Sequence, residues 1–260
     1  MSTPGTVVVH RDAGMLARAV AARLVTHLVD AQAARGTASV VLTGGGIGIA
    51  TLRELQAAPA RDAVDWPRLD VWWGDERFLS TGNPGRNDTQ ARAALLSAVA
   101  VDEARVHPIA GPDGPDGDDP ERAAERYAAE LARAAHPEDH GPVPRFDVLL
   151  LGIGPEGHTA SIFPESPAVH DERPVVAVRG CPKPPPIRIT LTLPAINAAQ
   201  EVWLVAAGEE KATAVHLALS GAGPVQIPAA GVAGRAQTRW LLDTSAASRL
   251  PRQLSRSASP

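Results

Sequence analysis

The segment from residue 152 to residue 164 carries the clearest chemical potential in the sequence. It reads Gly-Ile-Gly-Pro-Glu-Gly-His-Thr-Ala-Ser-Ile-Phe-Pro and follows an apolar run, 146–151, that predicts a buried strand. His158 therefore lies just beyond a strand end, where ligands bind in parallel α/β sheets. Imidazole titrates near neutral pH and can accept a proton from water, which makes His158 a candidate general base. The other seven of the eight histidines are predicted to be structural or merely exposed.

A second cluster, Thr43-Gly44-Gly45-Gly46, joins a predicted strand to a predicted helix. Glycine lets backbone N–H groups approach an anion closely, and a helix N-terminus adds partial positive charge. The pattern matches neither the dinucleotide fingerprint nor the Walker motif. It is either a tight turn that needs a positive φ or a contact for phosphate or sugar, and the other clusters favour the second interpretation.

Charged and amide side chains supply the remaining candidates. Asp75-Glu76-Arg77 follows a third predicted strand. The guanidinium of Arg77 is suited to stabilise an oxygen that gains negative charge, although Arg77 could simply form an ion pair with Asp75 or Glu76. Asn87 could be only a helix N-cap. Arg188 and Lys211 could be ordinary solvated charges. We expect packing roles for Trp72 and Trp73, a helix or backbone contact for Ser161, and no catalytic role for Cys181.

Alternating strands and helices must position these clusters. Predicted strands cover residues 7–9, 39–43, 69–73, 106–109, 146–151, 175–178, 188–192, 202–206 and 239–242, and predicted helices cover 12–35, 87–99, 194–199 and 209–219, with Asp12 as the first N-cap. Near-continuous apolar strands between helices indicate a mostly parallel sheet covered on both faces. We predict one α/β domain over residues 1–250, a surface loop at 111–120 and a disordered tail at 251–260. The clusters should converge at one sheet edge.

Composition excludes several classes of function. The sequence has 25 Lys+Arg against 29 Asp+Glu, a net charge of −4, which argues against a nucleic-acid partner. One cysteine excludes an intramolecular disulfide framework and fits a reducing compartment. No apolar run reaches membrane-spanning length and no secretory leader is evident, so we expect no membrane association and a cytoplasmic location. The sequence has no His or Cys spacing typical of metal ligands, so no metal site is predicted. It also has no Gly-x-Ser-x-Gly elbow, which argues against a serine esterase.

Taken together, these motifs resemble the 6-phosphogluconolactonase family, whose signature is Gly-x-Gly-x-Asp-Gly-His-x-Ala-Ser-Leu-Phe-Pro. The resemblance spans residues 7–243 and includes the turn at 41–46, Asp75-Glu76-Arg77, Arg86-Asn87, the stretch 186–197 and the segment 208–212. It implies a Rossmann-like three-layer α/β/α sandwich. It also implies hydrolysis of 6-phospho-D-glucono-1,5-lactone to 6-phosphogluconate without a cofactor, by a monomer or weak homo-oligomer whose partner is the sugar-phosphate lactone.

The resemblance also implies residue roles. His158 would be the general base and Arg77 the oxyanion ligand, with Asp75 and Glu156 orienting the catalytic groups or the water. Substrate and phosphate contacts would come from Thr43, Gly44, Gly45, Gly46, Asn87, Arg188 and Lys211.

Two positions matter for the comparison with relatives. The family usually has Asp where this chain has Glu156, so the carboxylate extends one methylene further. The related glucosamine-6-phosphate deaminases carry a catalytic Glu five residues after the His, where this chain has Phe163. A deaminase or isomerase of the same superfamily is the nearest alternative. A non-catalytic sugar-phosphate sensor is another, although no helix-turn-helix segment is evident.

Overall fold

The computed structural model describes residues 5–139, 141–251 and 256–257. Its strands are β1 Thr6–His10, β2 Ala38–Leu42, β3 Leu69–Trp73, β4 Asp75–Arg77, β5 Val148–Gly152, β6 Val175–Val178, β7 Arg188–Leu191, β8 Glu201–Ala206, β9 Gln237–Asp243 and β10 Arg256–Ser257. Its helices are α1 Ala13–Arg35, α2 Gly45–Ala57, α3 Asn87–Ala94, α4 Pro120–Ala134, α5 Leu193–Asn197 and α6 Ala212–Leu219. Short 3₁₀ turns lie between several of these elements.

Seven strands form a central sheet in the order β10-β1-β9-β8-β5-β2-β3, and every pair of neighbours in it is parallel. The inner strands are buried on both faces; β2, for example, is buried along its whole length. Helices cover the sheet, which gives the predicted α/β/α sandwich with a mostly parallel sheet. That prediction is confirmed.

A second, small sheet lies beside the first and contains β4, β7 and β6 in that order. Both of its pairings are antiparallel. Only Gly74 separates β3 from β4, so the chain passes directly from the central sheet into the small one. Helix α4 packs against β6 and β7.

Helix α1 follows the sequence prediction closely. Asp12 is its N-cap and accepts a hydrogen bond from the amide of Met15 at 2.7 Å. Gly36 ends it in the left-handed region at φ 80°, where glycine is favoured. Leu16, Val20 and Leu24 recur at four-residue spacing and are fully buried. The predicted packing roles of Trp72 and Trp73 are also confirmed, since both are buried.

Other predicted elements differ from the structure. Residues 106–109 are not a strand, because Val106 forms only an isolated bridge to Val71 before the chain turns away. Helix α3 ends at Ala94, well before residue 99, because Leu95 leaves helical geometry at φ −150°. The predicted helix 209–219 is a 3₁₀ turn followed by α6. No helix was predicted at α4, which begins at Pro120 with Asp119 as its N-cap.

The predicted disordered tail, 251–260, lies largely outside the described residues. Within it, Arg256–Ser257 pairs in parallel with β1. Across the described part of the chain, no helix is both long and apolar enough to cross a membrane.

Candidate active site

Four neighbouring strands of the central sheet, β3, β2, β5 and β8, deliver their carboxyl ends to one edge. Loops from these ends line a cavity of about 460 Å³. The predicted convergence of the clusters is therefore observed. Every predicted site residue except Glu156 lines the cavity: Thr43, Gly44, Gly45, Gly46, Asp75, Arg77, Asn87, His158, Arg188 and Lys211.

The glycine turn places the start of α2 against this cavity. Gly45 has φ +79°, so the tight turn that needs positive φ is present as well. Gly44 is the N-cap, and no side chain of the described residues caps the helix there. A β-carbon on Gly44 would overlap the side chain of Asn87. The first amide N–H groups of this 13-residue helix are thus open to an anion in the cavity.

Asp75 and Asn87 form a buried polar pair on one wall. The Asn87 Nδ2 donates to the Asp75 carbonyl oxygen at 2.8 Å, with Asp75 Oδ1 at 3.3 Å. The N-cap of α3 is Arg86, so Asn87 is not a cap. The prediction for Ser161 was wrong in part: its hydroxyl donates to Asp75 Oδ2 at 2.6 Å, while its amide N–H binds the Thr190 hydroxyl.

Glu76 lies between two cavity residues but does not line the cavity. Its carboxylate accepts hydrogen bonds from the amides of Arg77, Asn87 and Asp88 at 2.7–2.9 Å. Burial raises the pKa of Glu76 to about 7, although Arg86 and these three amides favour the ionised form. Glu76 therefore holds the start of α3, and with it Asn87, against β4.

Arg77 is half-buried on the cavity wall. Its Nη1 donates to the carbonyl oxygen of Gly85 at 2.7 Å, and its buried Nε has no hydrogen-bond partner among the described residues. Within the same described ranges, its side chain makes no ion pair with Asp75 or Glu76. The alternative interpretation as a surface ion pair is therefore wrong, and the guanidinium retains donor capacity toward the cavity.

His158 sits in the turn that follows β5. Gly154 accommodates the ring, because a β-carbon there would overlap its Nδ1 and Cε1. Phe163 also packs against the ring, with centroids 4.6 Å apart. Burial lowers the pKa of His158 below its ordinary value of 6.5; Glu156 opposes this effect, and Lys183 adds to it. The imidazole is therefore neutral at neutral pH and can accept a proton.

Glu156 stands behind His158, outside the cavity. Its Oε1 is 3.0 Å from His158 Nδ1, although the alignment falls short of hydrogen-bond geometry and Nδ1 has no partner in the described chain. Its Oε2 accepts a hydrogen bond from Lys183 Nζ at 2.9 Å. Burial opposes ionisation of Glu156, but hydrogen bonds from its own amide and from Lys183 outweigh it and lower the pKa.

Arg188 and Lys211 provide positive charge at the cavity. Arg188 is 5% exposed, and its guanidinium lies 5.6 Å from the ring centroid of Phe163. Its Nη2 donates to the carbonyl oxygens of Lys183 and Pro184. Burial lowers the pKa of Lys211, an effect that Glu210 opposes and Lys183 reinforces. Arg188 is thus anchored by hydrogen bonds, and Lys211 is partly buried at the cavity, so neither is a freely solvated surface charge.

The sequence interpretation overlooked two side chains that touch the predicted catalytic residues. Phe163 was noted only as a difference from the deaminases, yet it contacts both His158 and Arg188. Lys183, in the proline-rich stretch 182–186, is not among the predicted site residues. A signal was present, because Lys183 and Lys211 are the only lysines in the sequence. Cys181 is buried, and burial raises the pKa of its thiol. In the described ranges no cluster of three or more His, Cys, Asp or Glu side chains is placed to hold a metal ion.

Comparison with known proteins places the chain among sugar-phosphate enzymes. The family described as glucosamine-6-phosphate isomerases/6-phosphogluconolactonase matches residues 11–240. The chain is 63% identical over 255 residues to a 6-phosphogluconolactonase of Streptomyces coelicolor, and the alignment covers 98% of both chains. It is 52% identical over 241 residues to a 6-phosphogluconolactonase of Mycobacterium tuberculosis, and that alignment covers 92% of this chain and 96% of the other. A crystal structure of 6-phosphogluconolactonase from Leishmania guyanensis superposes with a TM-score of 0.82 at 26% identity, covering 96% of this chain and all of that one. The chain belongs to the glucosamine-6-phosphate isomerase/6-phosphogluconolactonase family.

Proposed function

We propose that this chain hydrolyses 6-phospho-D-glucono-1,5-lactone to 6-phospho-D-gluconate in the oxidative pentose phosphate pathway. Its 63% identity to a protein named 6-phosphogluconolactonase, over nearly the full length of both chains, supports lactone hydrolysis. The cavity supports the same substrate class, because it combines a neutral imidazole with several fixed donors for anions. A lactone is an activated ester, so its hydrolysis needs no redox cofactor.

In this proposal His158 activates the attacking water. Since Nδ1 faces Glu156, Nε2 is the nitrogen available to the cavity. It takes a proton from water as the oxygen attacks C1 of the lactone. The resulting imidazolium is stabilised by the Glu156 carboxylate, in the way a carboxylate supports histidine in hydrolytic triads. When the bond between C1 and the ring oxygen breaks, the same proton passes to the departing oxygen.

Arg77 stabilises the negative charge that develops on the carbonyl oxygen. Its hydrogen bond to Gly85 fixes the guanidinium before the substrate arrives, so little reorganisation is needed at the moment of reaction. Asp75 is held by Ser161 and Asn87 beside it and orients the catalytic groups or the water.

The phosphate binds where positive charge is fixed. Arg188, Lys211 and the amides of the Gly44–Gly46 turn supply charge-assisted hydrogen bonds and the partial charge of a helix N-terminus. Thr43 and Asn87 line the same region. Binding energy from this group, which takes no part in the reaction, orients C1 toward His158.

The observation that carries the proposal is the single cavity shared by His158, Arg77, Arg188, Lys211 and the uncapped start of α2. The test is the hydrolysis rate of freshly generated phosphogluconolactone, measured against its spontaneous decay, with His158→Ala as the matched inactive protein. Acceleration by the wild-type chain alone is expected. Decay at the spontaneous rate would overturn the proposal.

A second assay addresses the alternative within the family. Phe163 occupies the position at which the deaminases carry a catalytic Glu, and a buried phenyl ring cannot serve as an acid. We therefore expect no ammonia release from glucosamine 6-phosphate. Ammonia release without lactone hydrolysis would identify a deaminase, and tight phosphogluconate binding without either activity would identify a sensor. Further expectations are a cytoplasmic monomer or weak homo-oligomer that binds no nucleic acid and retains activity after dialysis against a chelator.

A further inference from the structure

Lys183 contacts two of the predicted site residues, Glu156 and Arg188. It belongs to a proline-rich loop, residues 182–186, which we call the proline loop. Its side chain donates to Glu156 behind the histidine, and its carbonyl oxygen accepts from Arg188 Nη2 at 3.1 Å. Arg188 also donates to the carbonyls of Pro184 and Pro185. One residue therefore touches both the cavity arginine Arg188 and the carboxylate beside His158.

We propose that Lys183 is a positioning residue that holds Glu156 in place for His158 and links this pair to Arg188. The proposal rests on the proposed function, in which His158 is the base and Arg188 binds phosphate. Two contacts carry it: Lys183 Nζ lies 2.9 Å from Glu156 Oε2, and Glu156 Oε1 lies 3.0 Å from His158 Nδ1. Lys183 touches no cavity surface itself, so it acts through Glu156.

The use of lysine at this position also has a physical rationale. The chain contains 25 basic residues, of which only Lys183 and Lys211 are lysine. An ammonium is a compact charge with three donors and fits a single carboxylate oxygen, whereas a guanidinium prefers both oxygens at once. Lys183 thereby leaves Oε1 of Glu156 free for His158. An arginine that took both oxygens would compete with the histidine.

The electrostatic surroundings fix the sign of the effect. The ionisable groups that act on His158 are Glu156 in the same turn, Lys183 in the proline loop and Asp75 on β4, with Arg188 on β7 beyond Phe163. Lys183 also acts on Lys211. Replacing Lys183 with Met removes a nearby cation but also releases Glu156, which acts more strongly on His158, so the pKa of His158 should fall. Glu156→Gln removes the anion, so the same pKa should fall.

The first experiment measures this pKa without using activity. A proton NMR titration of the histidine resonances, with His158 assigned by comparison with His158→Asn, follows wild type, K183M, K183R, E156Q and R179M. Arg179 precedes the proline loop and pairs with Glu121 at the surface, so R179M is the matched control. A fall in both K183M and E156Q and no change in R179M are expected. An unchanged or raised pKa in K183M would mean that Glu156 keeps its place without Lys183 and would overturn the proposal, whether or not the chain hydrolyses the lactone.

The second experiment uses lactone hydrolysis. K183M should lower kcat about tenfold with little change in KM, as expected when a residue that orients a catalytic group is removed. K183R should recover part of the loss. In the E156Q background, K183M should cost less than about twofold, because Glu156 can no longer transmit the effect. Equal losses in both backgrounds, or a raised KM with normal kcat, would overturn the positioning role.

Discussion

Arg77 and Arg188 occupy directly opposed positions on the antiparallel strands β4 and β7. Opposed residues project from the same face of a sheet, with β-carbons about 4.5–5.5 Å apart. The guanidinium groups are nevertheless anchored to different loops: Arg77 donates to Gly85, and Arg188 donates to carbonyls of the proline loop. Two cations that begin side by side are thus held by different loops at one cavity, an arrangement suited to an anionic ligand.

Alanine substitutions of these two arginines should change different kinetic constants. Arg77→Ala removes a donor to charge that exists only in the transition state, so kcat should fall about 10²–10³-fold with little change in KM. Arg188→Ala and Lys211→Ala remove contacts to phosphate worth about 1.5–3 kcal/mol each, so KM should rise instead. Steady-state kinetics and competition by 6-phosphogluconate distinguish the cases. A kcat loss in Arg188→Ala that matches Arg77→Ala would contradict the division of roles.

His158→Ala should lower the rate about 10²–10⁴-fold, the usual contribution of a positioned base. In the wild type the base must be neutral. Because burial lowers the pKa of His158, kcat/KM should rise with pH to a plateau, and the midpoint of the rise should lie below the ordinary value of 6.5. A pH profile of kcat/KM checks this. An acid limb centred well above 6.5, or a folded His158→Ala protein with normal turnover, would exclude His158 as the base.

Glu156 should contribute through its charge. Glu156→Gln keeps the side-chain size but removes the anion that favours protonated His158 in the transition state, so its kcat should be clearly reduced. Glu156→Asp restores the residue that the family normally uses and should keep substantial activity. The turn or Lys183 must shift slightly, because the aspartate side chain is shorter by one methylene. Steady-state kinetics of the pair decides the matter. Equal, unimpaired rates for both variants would remove the orienting role.

Gly154 should be essential for the placement of the His158 ring. A β-carbon at Gly154 would overlap His158 Nδ1 and lie 2.8 Å from Glu156 Oε2, so Gly154→Ala must displace the pair. We expect a fall in kcat of about tenfold or more, from misorientation of the base. Gly223→Ala is the matched control, because nothing lies within 4 Å of a β-carbon there. Normal kinetics in Gly154→Ala would mean that the ring has another productive position.

The sequence predicted the parts of this molecule that depend on local chemistry. Local sequence patterns predict the N-cap Asp12 and the end of the buried strand near Gly152. The parallel topology then brings the carboxyl ends of the strands together at one edge of the sheet. Contacts between distant segments were not predictable in the same way. Nothing near Glu156 indicates that Lys183, 27 residues later, will take one of its oxygens. Val106 and its neighbours have strand-like composition but meet the edge strand β3 at only one position.

Because successive side chains of β4 point to opposite faces, its two adjacent carboxylates have different roles. Asp75 faces the cavity, whereas Glu76 points to the opposite side and accepts three amide hydrogen bonds at the start of α3, beside the buried Arg86. Asp75→Asn should therefore lower kcat strongly and stability less than Glu76→Gln does. Glu76→Gln should lower the free energy of unfolding by about 1–3 kcal/mol, because it leaves buried donors without an acceptor.

Denaturant unfolding and lactone kinetics on both variants test this division. The matched control is Glu103→Gln, which breaks an exposed pair with Arg92 and should change stability by about 0–1 kcal/mol. Because Glu76 also holds Asn87 in place, a secondary fall in activity is expected in Glu76→Gln, but only together with the loss of stability. A Glu76→Gln protein of full stability and no activity would instead place Glu76 in the reaction, and a destabilised but fully active Asp75→Asn protein would remove Asp75 from it.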